Sequence, residues 1–359
     1  MRRQDGKTVK RKAEHVEVTL WKDVQHRCKC AGFEDIDFVH NALPELDFSA
    51  IDTRSKIFGK HISAPIIISS MTGGYAGAEK INMALAQAAE ELGLAMGVGS
   101  QRAMIERWEL APSYKIRKVA PSIPIFGNIG IYQLKHYKAD QIVQALEQIG
   151  ADALAVHLNP LQEVMQPEGD KDFRGCFAAL RHLCSKLDVP VIAKEVGSGL
   201  SAHVAKQLAE AGVKYIDVSG AGGTSWSAVE IERGRGAHCE YWDWGIPTAA
   251  AVADVARSTR LPIVASGGIR SGLDVAKGIA LGASYGAAAY PFLVAVNKGG
   301  AKGVARELSS WIDSLKIAMF LTRSRNLAEL AKAKVLVTGR TAELMELMGI
   351  EPAGFARRR

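Results

Sequence analysis

The sequence predicts an α/β protein, a (β/α)8 TIM barrel with an N-terminal extension, and three observations carry that prediction. Eight short apolar runs recur along the 359 residues at intervals of roughly 25 to 45. Several run continuously and are rich in Val and Ile, as parallel strands are when both faces of their sheet are covered. The first seven runs then end in polar residues or glycine, and stretches with helical spacing separate the runs. A barrel satisfies all three, because helices wrap its sheet and the strand ends gather on one rim. A doubly wound open sheet is the competing arrangement, and eight near-regular units favour closure.

Taken in order, the predicted strands are residues 65–70 (PIIISS), 94–98 (LAMGV), 123–128 (IPIFGN), 153–158 (ALAVHL), 189–194 (VPVIAK), 215–219 (YIDVS), 261–266 (LPIVAS) and 285–290 (YGAAAY). Between the first two, Ala84, Ala88 and Leu92 share one helical face over residues 76–94; Val204, Leu208 and Ala211 do the same over 201–211. Residues 278–297 carry no charge, but Gly282, Ser284, Gly286, Pro291 and Asn297 interrupt them. They read as a helix end, a short strand and a turn, and not as the roughly 20 apolar residues that a membrane span needs. The chain thus divides into a lead-in arm over 1–63, the barrel over 64–325, and a helical extension with a basic tail over 326–359.

The formal net charge is +7. It sits at the ends: the first twelve residues carry +5 and the final three +3, so the body between is near neutral. That distribution argues against nucleic acid as a partner, and basic chain ends are commonly solvated arms. Five cysteines, an odd number with no regular spacing, point to free thiols in a cytoplasmic protein, and Cys28-Lys29-Cys30 is too tight for a zinc knuckle. No membrane partner is expected.

The strand ends supply the candidate site. Ser266-Gly267-Gly268 after the seventh strand reads either as a phosphate cradle or as a tight turn that needs small residues; barrels commonly hold phosphate after strands seven and eight. Lys194 ends an apolar run, where a cation is costly without an anionic partner. That partner is either a reduced flavin or a structural carboxylate, Glu195 or Asp217. The segment from His157 to Glu163 (HLNPLQE) concentrates hydrogen-bonding groups after the fourth strand. Glu163 is either an ordinary helix glutamate or a Mg2+ ligand beside phosphate oxygens, and His157 is either a satisfied core histidine or a site residue.

Together these motifs resemble the type 2 isopentenyl-diphosphate isomerases, a flavin-dependent family. The matching pieces are Arg11-Lys12-Ala13-Glu14-His15, Met71-Thr72-Gly73-Gly74, Gly99-Ser100-Gln101-Arg102, HLNPLQE, Lys194-Glu195-Val196-Gly197, GAGGTSW at 220–226, Gly245-Ile246-Pro247-Thr248-Ala249 and Ser266-Gly267-Gly268. They fall in family order over about residues 8–325; HLNPLQE and GAGGTSW are the specific ones. The resemblance implies FMN surrounded by Ser70, Met71, Thr72, Gly73, Ser100, Asn128, Lys194, Ser219 and Thr224. Its phosphate would meet Gly268, Ile269, Arg270, Ala289 and Tyr290. A prenyl diphosphate would meet Arg11, Lys12, Ser100, Gln101, Arg102 and His157. Gln162 would reach its prenyl end, with Gln162 and His157 as the catalytic candidates and Glu163 as the Mg2+ ligand.

It further implies NADPH or NADH as reductant, a homotetramer or homo-octamer, and a basic arm folded over the site, from the same or a neighbouring subunit. The implied reaction moves a double bond between isopentenyl and dimethylallyl diphosphate with no net redox. Trp226 would pack on the prenyl chain or in the core. The rival reading is an FMN-dependent 2-hydroxy-acid oxidase, which wants a histidine base and a carboxylate-clamping arginine after the sixth strand; residues 220–226 contain neither. A nucleotide dehydrogenase wants a cysteine nucleophile on a rim loop, whereas Cys176 and Cys184 fall in a predicted helix and Cys239 in the insert before strand seven. A non-catalytic flavin-binding scaffold remains the third alternative.

Overall fold

The computed structural model describes residues 2–234 and 238–358; Arg359 of the basic tail lies outside them. Three strands precede the barrel, β1 (Ile36–Phe38), β2 (Ser55–Ile57) and β3 (Lys60–Ile62). The barrel consists of β4 (Ile66–Ile68), β5 (Ala95–Gly97), β6 (Ile125–Gly130), β7 (Ala153–His157), β8 (Val191–Lys194), β9 (Tyr215–Asp217), β10 (Ile263–Ser266) and β11 (Tyr285–Ala288). Every neighbouring pair is parallel, and β11 returns to β4, with Ile67 opposite Ala287, to close the ring. All eight predicted runs are therefore barrel strands. A last strand, β12 (Val335–Val337), follows outside the ring.

The principal helices in chain order are α1 (Arg2–Trp21), α2 (Ala76–Leu92), α3 (Arg102–Glu106), α4 (Ala139–Ile149), α5 (Pro160–Met165), α6 (Cys176–Cys184), α7 (Ala202–Glu210), α8 (Trp226–Glu232), α9 (Thr248–Ala256), α10 (Gly272–Leu281) and α11 (Tyr290–Leu321). α2 stops two residues short of the predicted end because Gly93 turns left-handed there, φ 65°. Residues 278–297 also differ from expectation: helix and strand are present, but the segment then starts α11 instead of ending in a turn. No helix among the described residues is long and apolar enough to cross a membrane.

Strand periodicity explains how the barrel is filled. Ile66 and Ile68 point outward under the helices, whereas Ile67 joins Phe126, Ala155, Ile192, Val264 and Tyr285 inside. The β2–β3 hairpin seals the end where the strands begin. Its Phe58 stands edge-on to Tyr215, 5.0 Å between ring centroids, and to Phe126 at 6.0 Å. With that end plugged, the large opening lies at the opposite rim.

The lead-in and the C-terminal segment meet outside the barrel. β1 pairs antiparallel with β12, Ile36 opposite Val337, and Thr341 donates its N–H to Asp35 (2.9 Å) and its hydroxyl to Gly32 O (3.2 Å). Ile36 is fully buried in this seam. Ile36→Ala should lower unfolding stability by about 2–5 kcal/mol, as core truncations do, measured by denaturant unfolding followed by circular dichroism.

Candidate active site

The strand ends open on one cavity of about 250 Å3, counted as space reachable by the centre of a water-sized sphere. A single water needs only about 10–15 Å3 on that measure, so the cavity suits a much larger ligand. Ser70, Met71 and Thr72 enter it after β4, Ser100 after β5, Asn128 from β6, and His157 and Lys194 at the tips of β7 and β8. Ser219 and Thr224 follow β9; Gly268, Ile269 and Arg270 follow β10; Ala289 and Tyr290 follow β11. Arg11 and Lys12 of α1, Arg102 of α3, and Gln162 and Glu163 of α5 complete the wall.

Two expected residues stay outside the lining. Gln101 is buried beneath it, giving its amide N–H to Ala145 O (2.8 Å) and accepting from Asn128 N (3.2 Å), so its side chain braces the rim from below. Gly73 faces the ring of Tyr114, where an added Cβ would lie 2.1 Å from Cε1. That close approach explains its glycine.

Lys194 forms the floor. Its ammonium donates to Glu195 O (2.8 Å) and Ser219 Oγ (3.3 Å) and stands 3.7 Å from Asp217 Oδ2. Asp217 is thus the structural carboxylate beside it. Glu195 turns its carboxylate away to accept the N–H groups of Val196, Gly197 and Ser198, and burial still pushes its pKa up to about 7. Asp217 also accepts from Ser266 Oγ (2.5 Å), and burial raises its pKa too, against the pull of Lys194. Around this floor the hydroxyls of Ser70 and Thr72 are buried and without a hydrogen-bond partner among the described residues. Buried polar groups are costly unless bonded, so these two mark where a ligand's acceptors or donors belong.

The phosphate reading of Gly267-Gly268 also has a geometric basis. Both residues have positive φ, 93° and 74°, and a Cβ on Gly268 would come 2.7 Å from Gly222 O. Ser271 caps α10 immediately after, accepting from Asp274 N. Arg270 is held over this corner by Gln25 Oε1 (2.6 Å), and its guanidinium lies 5.3 Å from the Tyr290 ring centroid. A helix start, two glycines of positive φ and an anchored arginine thus meet at this corner.

Opposite the floor, the chain's own α1 roofs the cavity. From Arg11 onward it packs on the rim and is not a solvated arm, and Arg11 and Lys12 reach the cavity within the one chain. Arg11 donates to Gln166 Oε1 (3.2 Å), and Lys12 donates to Ser100 O (2.7 Å) and Tyr114 Oη (2.9 Å). Lys12 makes no ion pair among the described residues; burial first, then Arg11 and Arg102, pull its pKa down to about 7. His15 donates to Glu230 Oε1 (2.9 Å), an oxygen that also accepts from Gln166 (2.6 Å) and Gln162 (3.3 Å). Arg233 pairs with the other Glu230 oxygen and with Glu14 of α1 (3.0 Å). Burial acts to raise the Glu230 pKa, but His15, Gln166 and Arg233 prevail and hold it at about 2.

His157 is neutral here. Burial, then the charges of Lys194 and Lys12, depress its pKa to about 3, and Nδ1 bonds Asn128 Oδ1 (2.9 Å). It stands in the cavity wall as a neutral imidazole. Glu163 has one oxygen fixed by Asn159 Nδ2 (2.9 Å) and the other by Asp170 N (2.8 Å). No group of three or more His, Cys, Asp or Glu among the described residues encloses a metal by itself. A cation at Glu163 therefore needs ligand oxygens as well, which is the usual Mg2+ arrangement. Trp226 lines the cavity and meets His15 edge-on, centroids 5.2 Å apart, so it belongs to the site wall.

With this geometry, residues 6–158 and 135–337 match the protein-family model of the FMN-dependent dehydrogenases. Among curated proteins, the isopentenyl-diphosphate delta-isomerase of Pyrococcus furiosus is 46% identical over 353 residues, covering 95% of this chain and 89% of the relative. That of Methanosarcina barkeri is 46% identical over 358 residues, 97% of each. The chain belongs to the isopentenyl-diphosphate delta-isomerase family. A crystal structure of mandelate oxidase with (S)-2-phenylpropionate superposes with a TM-score of 0.65 over 92% of this chain and 97% of that one. At 18% identity that likeness shows the fold alone.

Some site residues of this isomerase-family chain escaped the sequence reading. His15, Gln166, Glu230 and Arg233 join α1 to the rim, and Gln25 braces Arg270 and bonds Thr224 Oγ1 (3.3 Å). Glu230 and Arg233, three apart on one helix face, were the available signal, although such pairs are usually surface pairs. Here both side chains are buried, 0% and 1% exposed. Arg233→Met leaves the Glu230 charge without its cation and should cost about 3–5 kcal/mol, with α1 becoming sensitive to limited proteolysis; thermal unfolding and peptide mapping measure both.

Proposed function

We propose that the protein interconverts isopentenyl diphosphate and dimethylallyl diphosphate, with FMN over the strand ends and Mg2+ at Glu163. The observation that carries this reading is the cavity's two ends: the Lys194 floor and the glycine-arginine corner on one side, and Arg11, Lys12 and Arg102 gathered under α1 on the other. FMN fits the first end. The unpartnered Ser70 and Thr72 hydroxyls, the Gly267-Gly268 turn and the Lys194 ammonium meet the needs of a phosphorylated heterocycle that gains negative charge on reduction. Reduced by NADPH or NADH, the bound flavin would supply the acid and base that move the alkene proton, with no net redox.

The chain's own groups do the rest. Arg11, Lys12 and Arg102 would hold the diphosphate, and Glu163, already oriented by Asn159 and Asp170, would hold Mg2+, which would offset the diphosphate's charge. Fixing that end converts binding energy into orientation of the prenyl end. Protonation of the alkene gives a tertiary carbocation, and loss of a proton from the neighbouring carbon moves the double bond. Gln162 is an amide and neither gains nor loses a proton near neutrality; tied to Asn159 (3.2 Å) and Glu230, it positions the alkene. Trp226 and α1 keep water from the cation, and an indole face favours positive charge.

The 2-hydroxy-acid oxidase alternative shares the barrel, but the loop after β9, residues 220–226, offers neither a histidine nor an arginine. Reduced, FMN-loaded protein with Mg2+ should place solvent deuterium into both prenyl isomers in D2O; oxidation of lactate or mandelate without such exchange would overturn the isomerase reading. Glu163→Gln should raise the Mg2+ concentration needed for activity by about 10- to 100-fold while FMN absorbance is retained. An unchanged Mg2+ response would remove Glu163 as its ligand. Lys194→Ala should weaken retention of reduced flavin, read by equilibrium dialysis under anaerobic conditions.

A further inference from the structure

Tyr114 takes no part in the reaction as described, yet it touches three parts of the site. It ends the short helix Trp108–Tyr114 and is fully buried. Its hydroxyl donates to Ser100 O (2.7 Å) and accepts from Lys12 Nζ (2.9 Å). Lys12 also donates to Ser100 O, so the three atoms form a closed triangle. The ring lies where side chains at residues 73 and 74 would otherwise be: a Cβ on Gly73 would be 2.1 Å from Tyr114 Cε1, and one on Gly74 would be 2.8 Å from Tyr114 Oη. Ser113, next to it, accepts from Gly74 N (2.8 Å).

An ammonium has three protons and no acceptor of its own. Two of those on Lys12 go to neutral oxygens, Tyr114 Oη and Ser100 O, which leaves the third for a ligand. Those two oxygens set where the charge stands without neutralising it, so its attraction is kept for an anion. A carboxylate in place of the phenol would consume that charge. Burial drives the Tyr114 pKa upward, so it remains a neutral phenol.

We infer that Tyr114 is a positioning residue for the diphosphate: its hydroxyl aims the Lys12 ammonium, and its ring sets the backbone of residues 73–74 beside the cofactor floor. The inference rests on the prenyl-diphosphate reading, because it gives Lys12 an anion to meet. The charged or titratable groups facing Lys12 are Arg11 on α1, Arg102 and Glu106 on α3, His157 at the tip of β7, and Tyr114 itself.

Tyr114→Phe keeps the ring and deletes the oxygen, whereas Tyr114→Leu removes both. FMN-loaded wild type and variants are titrated with inorganic pyrophosphate and Mg2+ by calorimetry, and their kinetics followed across neutral pH. Tyr114→Phe should weaken pyrophosphate binding and raise KM by about tenfold, the scale of one lost hydrogen bond to a charged group. kcat should stay within about twofold, since ground state and transition state lose the same contact. The alkaline limb of kcat/KM should move to lower pH, because the charged ammonium loses an acceptor that favours it. FMN content should be unchanged in Tyr114→Phe and reduced in Tyr114→Leu. Wild-type affinity, KM and pH profile in Tyr114→Phe overturn the inference. A wild type that binds no pyrophosphate overturns the diphosphate reading itself, so the two failures are told apart.

Discussion

A closed parallel barrel with a filled interior leaves buried strands one place to put polar groups, and the rest of this molecule follows from that constraint. The interior is occupied by Ile67, Phe126, Ile192, Val264 and Tyr285, and the far end by Phe58. A lysine inside that packing would have no partner. At the last residue of β8 it reaches Asp217, Ser219 and the backbone of Glu195 instead. Apolar strand and charged tip are thus two consequences of one arrangement.

Around the rim, charge is handled in two different ways. Beneath the cavity, Lys194 sits against Asp217, and Glu195 is satisfied by three backbone N–H groups, so those charges are internally compensated. Under α1, Lys12 meets only neutral oxygens, and its pKa falls. Uncompensated buried charge destabilises a protein unless a ligand relieves it. The first arrangement holds the fold together, and the second leaves part of the stabilisation to whatever anion arrives.

Much of this was legible in the chain. The eight runs were visible because strands covered on both faces are apolar throughout, and the rim because the first seven runs stop at polar residues or glycine. Other features needed coordinates. The helix over residues 2–21 is polar and strongly basic, so its composition matched that of a solvated arm; what holds it are partners such as Gln166, Glu230 and Arg233, 150 residues or more away in sequence. Gln101 lies within a rim motif, yet its side chain turns inward to Ala145 O, and no spacing rule reveals that. The pairing of β1 with β12 spans nearly the whole chain, and three-residue strands carry little pattern of their own.

The attachments of α1 also have a bearing on how the protein is made. Ribosomes deliver the N-terminus first, but Gln166, Glu230 and Arg233, which anchor this helix, emerge only after the first half to two-thirds of the chain. Until then the rim has no roof. The β10 and β11 corner arrives later still, so every one of these anchors has emerged before the last two strands close the barrel.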